Sequence, residues 1–376
     1  MTSSSVRPSV PLARPDIGPR ELELVTQVLT SDVLAMGAFT ERFEEGIAEL
    51  SGRRHGVACS SGTAGLHMAV RALDIGDGDE VITTPFSFVA SANCLLYERA
   101  IPTFVDIEDD SLGMDPDLVE HATTARTRGV LPVHVFGRPC KIEPIVAHAR
   151  SKGLAIIEDS CEGLGSSLNG RPLGGFGDIA VFAFYPNKQI TTGEGGMAVT
   201  DDPALADVMR SLRNQGRDTD GTWLRHVRLG YNYRLDELSA ALGVAQIERL
   251  GELRAGRDRV AAAYERGLGR RDWVRLPKAG PGETVDWFVY VVQLDPRIDR
   301  DALIGRLKDR GVPSRPYFSP LHLQPFYRAR FGYKPGDFPV TERVAASTLA
   351  LPFSSRHTDE DIAHVCEALT EAAAAA

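Results

Sequence analysis

The sequence is poor in the features that would mark a secreted, metal-bound or membrane protein. Its five cysteines, Cys59, Cys94, Cys140, Cys161 and Cys366, are odd in number and scattered, with no CxxC pair. That pattern excludes a disulfide frame and a zinc ribbon, and it predicts reduced thiols. No apolar run is long enough to cross a bilayer, and the opening stretch MTSSSVRPSVPLARP lacks the apolar centre of a signal peptide. The cytoplasm is the expected location, with no membrane partner. Basic residues do not dominate either: Lys+Arg 42 against Asp+Glu 51 gives a net charge of −9. Such a surface repels a phosphate backbone, so nucleic acid is not an expected partner.

What the chain does have is alternation. Short apolar runs end in small, polar or acidic residues: Gly56 to Cys59, Glu80 to Thr84, Thr103 to Asp106, Val130 to Val135, Leu154 to Glu158, Ile179 to Phe184 and Met197 to Val199. Helical apolar spacing fills most of the gaps, as in Ala64 to Leu73, Val89 to Tyr97 and Ile142 to Lys152. Strands alternating with helices predict an α/β fold with a mostly parallel sheet sandwiched by helices. A chain of 376 residues is long for one core, so two domains are expected. From about Leu250 the pattern shifts to a long charged helix, apolar runs around Trp287 to Leu294 and further helices. This predicts a large domain over 1–249 and a smaller α+β domain over 250–376, its last helix ending near Glu371 and the alanines after it fraying.

In an open parallel sheet, ligands gather beyond the carboxyl ends of the strands, and the chemically unusual residues of this chain fall at such ends. Ile179 to Phe184 breaks at Tyr185-Pro186-Asn187 and delivers Lys188, followed by the glycine-dense turn Thr191-Thr192-Gly193-Glu194-Gly195-Gly196. A lone lysine here would read as a surface tip. The glycines favour close approach of backbone to a ligand, and a lysine in a dry site can attack a carbonyl to form a Schiff base. Cys59-Ser60-Ser61-Gly62-Thr63-Ala64-Gly65 opens a helix whose free N–H groups suit a phosphate, although an ordinary N-cap explains it nearly as well. The segment is neither GxxxxGK[ST] nor GxGxxG, which weakens nucleotide triphosphate and dinucleotide readings. Phe86 and Phe88 stand where a ring could stack, or simply pack in the core. Ile156-Ile157-Glu158-Asp159 ends a strand in paired carboxylates that suit a cap, a metal or a cationic ligand. His134 reads as a hydrogen-bonded structural histidine, without a second ligand at metal spacing.

A carbonyl-attacking lysine, a phosphate cradle, a stacking aromatic and a buried carboxylate together are what pyridoxal 5'-phosphate (PLP) requires. The chain resembles, nearly end to end, the DegT/DnrJ/EryC1/StrS family of nucleotide-sugar aminotransferases, a fold-type I PLP group. The resemblance is carried by SSGTAGLHMAV, TTPFSFVASANC, PTFVDIEDDSLGMDP, VLPVHVFGRP, IIEDSCEGLGS, GDIAVFAFYPNKQITTGEGGMAVT, GYNYRLDELSAALGVAQIERL and RPYFSPLHLQP. It implies an aspartate aminotransferase-like fold and PLP as cofactor. Lys188 looks like the lysine that bonds the cofactor's aldehyde, and Asp159 like the partner of its ring nitrogen. Phe88 falls at the stacking position. Gly62, Thr63 and Ala64 fall at the phosphate, and Glu162 near the ring hydroxyl. Asn232 and Arg234 match a segment that reaches the phosphate from a neighbouring subunit, which implies a homodimer with shared sites. Glu194, Tyr317 and His322 are expected to touch substrate. One position departs from the family: a serine common five residues before the lysine is Ala183 here.

The implied reaction is transfer of an amino group, with glutamate as expected donor, onto a keto carbon of a nucleotide-linked deoxysugar. The ITTGEGG turn favours C4 by resemblance. A dehydratase or epimerase of the same fold, a 3-ketosugar aminotransferase and an aminocyclitol aminotransferase stay open; the retained lysine speaks against the dehydratase branch.

Overall fold

Seven of the apolar runs pair into one sheet: β1 (His55–Cys59), β2 (Glu80–Thr83), β3 (Ile101–Phe104), β4 (Thr127–Val130), β5 (Ala155–Asp159), β6 (Ile179–Ala183) and β7 (Gly196–Thr200). In the computed structural model, which describes residues 9–218 and 222–374, they lie in the order β1-β7-β6-β5-β4-β2-β3. The pairs from β6 through β5, β4 and β2 to β3 are parallel, and β7 runs antiparallel to both β1 and β6. The sheet is therefore mostly parallel, as expected, with one reversed strand beside the edge.

Both faces are covered, and β6 shows how the sequence arranges this. Alternate residues of a strand point to opposite faces. Ala180 and Phe182 join a cluster with Leu24 and Val28 of α1 (Pro19–Leu29), Phe43 and Ile47 of α2 (Ala38–Leu50), and Val244 of the helix Glu237–Glu248. Ile179 and Val181 face the other way, into a cluster with Leu66, Met68 and Val70 of α3 (Gly62–Ala72) and Cys94 and Leu95 of α4 (Ala90–Tyr97). Each large side chain buried in this way contributes about 1.5–3 kcal/mol.

Beyond residue 250 a second, antiparallel sheet of three strands, β8 (Val274–Arg275), β9 (Tyr290–Leu294) and β10 (Thr348–Leu351), carries its own cluster. Tyr264, Leu268, Val292, Leu303, Leu307, Val365 and Leu369 form it, and Val10 from the start of the chain joins them.

Three expectations are corrected. The run Val130 to Val135 is not one strand: β4 ends at Val130 and Val135–Gly137 is a 3-10 turn. Pro132, which has no N–H to give a ladder, lies between them. The last helix does not stop near Glu371 but runs to Ala374, with Ala372 fully buried; the final two alanines lie outside the described residues. Helices at Pro116–Ala122, Pro325–Phe331 and Pro339–Ser347 were unforeseen, and each carries proline in its first turn, where its missing N–H costs nothing. Among the described residues, no helix is long and apolar enough to cross a membrane and no group of side chains could hold a metal. All five cysteines are free.

Candidate active site

The carboxyl ends of β1, β2, β5 and β6 open onto one cavity of about 510 Å³, within the range of small-molecule sites. Its wall includes Gly62, Thr63, Phe88, Asp159, Glu162, Ala183, Lys188, Glu194 and Tyr317. Eight expected site residues, all of these but Ala183, are thus brought together.

Lys188 hangs from the loop between β6 and β7, its side chain only 13% exposed. Nζ lies 3.2 Å from Glu162 Oε1 and 4.2 Å from the centre of the Phe288 ring. Glu162 Oε2 accepts the Phe136 N–H at 2.8 Å. Burial pushes the Glu162 carboxyl above the usual carboxylate range, against the pull of the Lys188 ammonium.

Two glycines of the lysine turn are required by the backbone itself, and a third, Gly195, lies on the cavity wall. Gly193 holds a left-handed φ of 80°, and a Cβ on Gly196 would stand 2.4 Å from the Ser61 carbonyl oxygen. The lysine turn is pressed directly against the start of α3. There Ser61 caps the helix, its Oγ accepting the Ala64 N–H at 3.1 Å. Ala64 is buried and its N–H is engaged, so it is not on the wall. Gly62 and Thr63 are, and first-turn N–H groups have no acceptor within their own helix.

The two carboxylates at the end of β5 face opposite ways. Asp159 is on the cavity wall, with Oδ2 accepting Ser91 Oγ at 2.7 Å and Oδ1 accepting the Cys161 N–H at 3.1 Å. Glu158 is fully buried on the other side, 3.0 Å from His134 Nε2 and held by the N–H groups of Gly174, Phe176 and Gly177. His134 is the structural histidine expected: it is fully buried, and Nδ1 accepts the Cys140 N–H.

Phe88 is 61% exposed at the cavity rim. Tyr317 lies beside Phe318 and Phe136, whose rings stack at 5.3 Å. Glu194 is an exposed part of the wall.

His322 is a correction. It is fully buried, 3.0 Å from Glu342 Oε1, with its ring 4.7 Å from that of Phe338, and it is absent from the wall. A substrate cannot reach a side chain enclosed in that way. Asn232 and Arg234 also stand away from the cavity of their own chain. Tyr231 and Tyr233, stacked at 4.9 Å, turn inward to Glu98 and His67, which leaves Asn232 exposed between them. Arg234 donates to Asn214 Oδ1 at 2.9 Å.

The sequence does not single out Ser87, Ser91, Tyr185, Asn187 or Phe288, all on the wall. Ser87 and Ser91 stand four apart, a spacing that would have placed them together. Phe288, a hundred positions beyond Lys188, gave no signal at all.

The site fits a phosphorylated aldehyde with a protonated ring nitrogen. It offers an enclosed lysine, a carboxylate with lone pairs to spare, a helix start on the wall and an uncovered aromatic. The buried Asn187 Oδ1, on the same wall, has no donor within the protein.

A sequence profile of the DegT/DnrJ/EryC1/StrS aminotransferase family matches residues 15–370. The GDP-perosamine synthase of Caulobacter vibrioides is 37% identical over 369 residues, covering 97% of this chain and 98% of the relative. The spore coat polysaccharide biosynthesis protein SpsC of Bacillus subtilis is 36% identical over 375 residues, covering 96% of each. The crystal structure of DesV from S. venezuelae superimposes with a TM-score of 0.90 at 33% identity, covering 97% of this chain and 98% of that one. With the parallel sheet, the enclosed lysine and these likenesses in agreement, the chain belongs to the PLP-dependent DegT/DnrJ/EryC1/StrS family and is a sugar-nucleotide aminotransferase.

Proposed function

We propose that this enzyme binds PLP and moves an amino group from L-glutamate onto the C4 keto carbon of a nucleotide-linked deoxysugar. The observation that carries the reading is the pairing of Lys188 and Asp159 on one wall beside the start of α3. The likeness to a GDP-perosamine synthase supports a ketosugar as acceptor.

In this reading Lys188 Nζ would bond the cofactor's aldehyde, Asp159 would face its ring nitrogen, and Gly62 and Thr63 would hold its phosphate at the helix end, where the dipole favours an anion. Phe88 would cover one ring face, and Glu162 would stand near the ring hydroxyl. The bound cofactor supplies an electrophilic carbon and an electron sink. Once the incoming amine had displaced it from the aldehyde, Lys188 would act as base and acid, removing a proton from the amine-bearing carbon of the donor and, in the second half-reaction, delivering one to the acceptor carbon that gains the amine. Glu162, 3.2 Å from Nζ, steadies the amine between these steps. Glu194 and Tyr317, with Phe318, border the space left for the sugar. The small unit from residue 250 supplies Phe288 and Tyr317, so the site is built by both proposed units.

The exposed Asn232 supports a shared site, in which it and Arg234 reach the phosphate held by a second copy of the chain. A two-fold interface would then carry two equivalent sites. Mixing Lys188→Ala with Asn232→Ala subunits tests this: freely exchanged, equal amounts should regain about one quarter of wild-type activity, because half the dimers hold one intact site. No recovery despite proven exchange would place Asn232 outside the partner's site.

The reaction is tested in two halves. Glutamate added to PLP-loaded enzyme should shift the visible band of the cofactor and yield 2-oxoglutarate. In a panel of nucleotide-4-ketosugars and 3-ketosugars read by mass spectrometry, the 4-ketosugars should then gain an amine. Amination of the 3-ketosugars alone would overturn the C4 assignment, and no response to glutamate would overturn the donor.

A further inference from the structure

Along the cavity wall a chain of buried hydroxyls runs into Asp159. Ser87, Ser91 and Asp159 are 3%, 1% and 4% exposed. Ser87 Oγ and Ser91 Oγ lie 2.7 Å apart, and Ser91 Oγ donates to Asp159 Oδ2 at 2.7 Å. A serine hydroxyl has one proton. Since the Ser91 proton goes to the carboxylate, Ser87 must be the donor in the serine pair. The chain is therefore directed, from Ser87 through Ser91 to the carboxylate, and each bond polarises the next.

The second oxygen is held from a different element, because Oδ1 accepts the Cys161 N–H at 3.1 Å from the turn after β5. Rotation of a carboxylate about its last bond is ordinarily broad. Here α4 fixes one oxygen and the β5 turn fixes the other, so the plane of the group is set before anything binds. Each oxygen keeps an unused lone pair.

We propose that Ser91 is a positioning residue for Asp159: it fixes the carboxylate plane so that a free lone pair meets the ring N–H of the cofactor, and Ser87 fixes Ser91 in turn. This rests on the cofactor reading above. Neither serine touches the reacting atoms in this scheme; both act through Asp159.

The test compares the affinity of the apoprotein for PLP with its affinity for 1-deazapyridoxal 5'-phosphate, whose ring has CH in place of the nitrogen. Hydrogen bonds to charged groups are the strong ones, so Ser91→Ala should weaken PLP binding about tenfold. The deaza ring offers Asp159 no N–H, and its affinity should change by less than about twofold. Ser87→Ala should show the same selectivity at about threefold, because it removes only the outer link. It also carries the test if Ser91→Ala does not fold. Equal weakening of both ligands would mean that the serines merely pack the wall, and the proposal would fall. So would PLP binding unchanged by either variant. If wild-type protein bound no PLP, the cofactor reading would fall first and this proposal with it.

Discussion

The two carboxylates that end β5 are neighbours in sequence and opposites in surroundings. Glu158 is saturated: His134, three backbone N–H groups and Ser160 all donate to it. Asp159 accepts two donors and keeps capacity on the side of the cavity. A fully buried charge is tolerable only when its hydrogen bonds are complete, which makes Glu158 a clasp that gathers the Gly174–Gly177 loop onto the strand. An incompletely used carboxylate beside a cavity is disposed to bind something. Burial alone would have ranked Glu158 as the more unusual residue. Spare hydrogen-bonding capacity identifies the one that faces chemistry.

The largest expected effect belongs to the cavity side. Lys188→Ala should lower turnover by roughly 10⁴-fold, since both the covalent anchor and the acid–base group are lost. Steady-state rates with glutamate and a ketosugar would check this, and a variant with near-normal turnover would remove Lys188 from the reaction. Next comes Asp159→Asn, expected to lower kcat by roughly 10²–10³-fold through lost electrostatic stabilisation, with a melting temperature close to wild type.

Glu158→Gln should do the reverse. Its turnover per folded molecule should stay near wild type, while urea unfolding of the apoprotein shows a loss of about 3–5 kcal/mol, because one partner of a buried network is altered. Were Asp159→Asn to cost stability and Glu158→Gln to cost turnover, the comparison would be inverted.

The smallest effect concerns Glu162. Burial raises its carboxyl in the folded state, so its favourable contribution is complete below the ordinary carboxylate range and is lost as pH rises through the folded value. Melting curves should therefore show wild type losing ground to Glu162→Gln as pH rises from about 4 upward. A difference that stays flat with pH would mean that the Lys188 ammonium cancels the burial.

Much of the scaffold was legible because strands and helices differ in period. All seven apolar runs became strands of one sheet, and Lys188 and Asp159 fell at the strand ends where such sheets place their ligands. The losses have physical causes. Pro132 interrupts a strand that apolarity alone had extended, and beyond it only a bridge from Val133 to Asp159 continues the pairing. His322 looked available among Tyr317, Phe318 and Leu321, because composition does not say which side of a turn faces the cavity. Phe288 reaches Lys188 only through tertiary folding, and no local pattern announces that. The glycines after Lys188 do mark close approach of backbone, which at Gly196 is to Ser61, while Gly195 lies on the cavity wall.

The reversal of β7 has a consequence for motion. Because β7 runs back beside β6, the segment bearing Lys188 is pinned at both feet by adjoining strands of one sheet. The pairing continues upward, with the Phe184 N–H reaching the Gly195 carbonyl and the Thr192 N–H reaching Phe184, each at 3.0 Å. Loops that bind ligands are usually drawn from the least stable parts of a fold. Its feet cannot part without unzipping β7 from β6, so the amides of Phe184 and Thr192 should exchange with solvent as slowly as the strands that hold them. The lysine keeps the clock of the sheet, and whatever flexibility turnover demands has to come from the walls opposite.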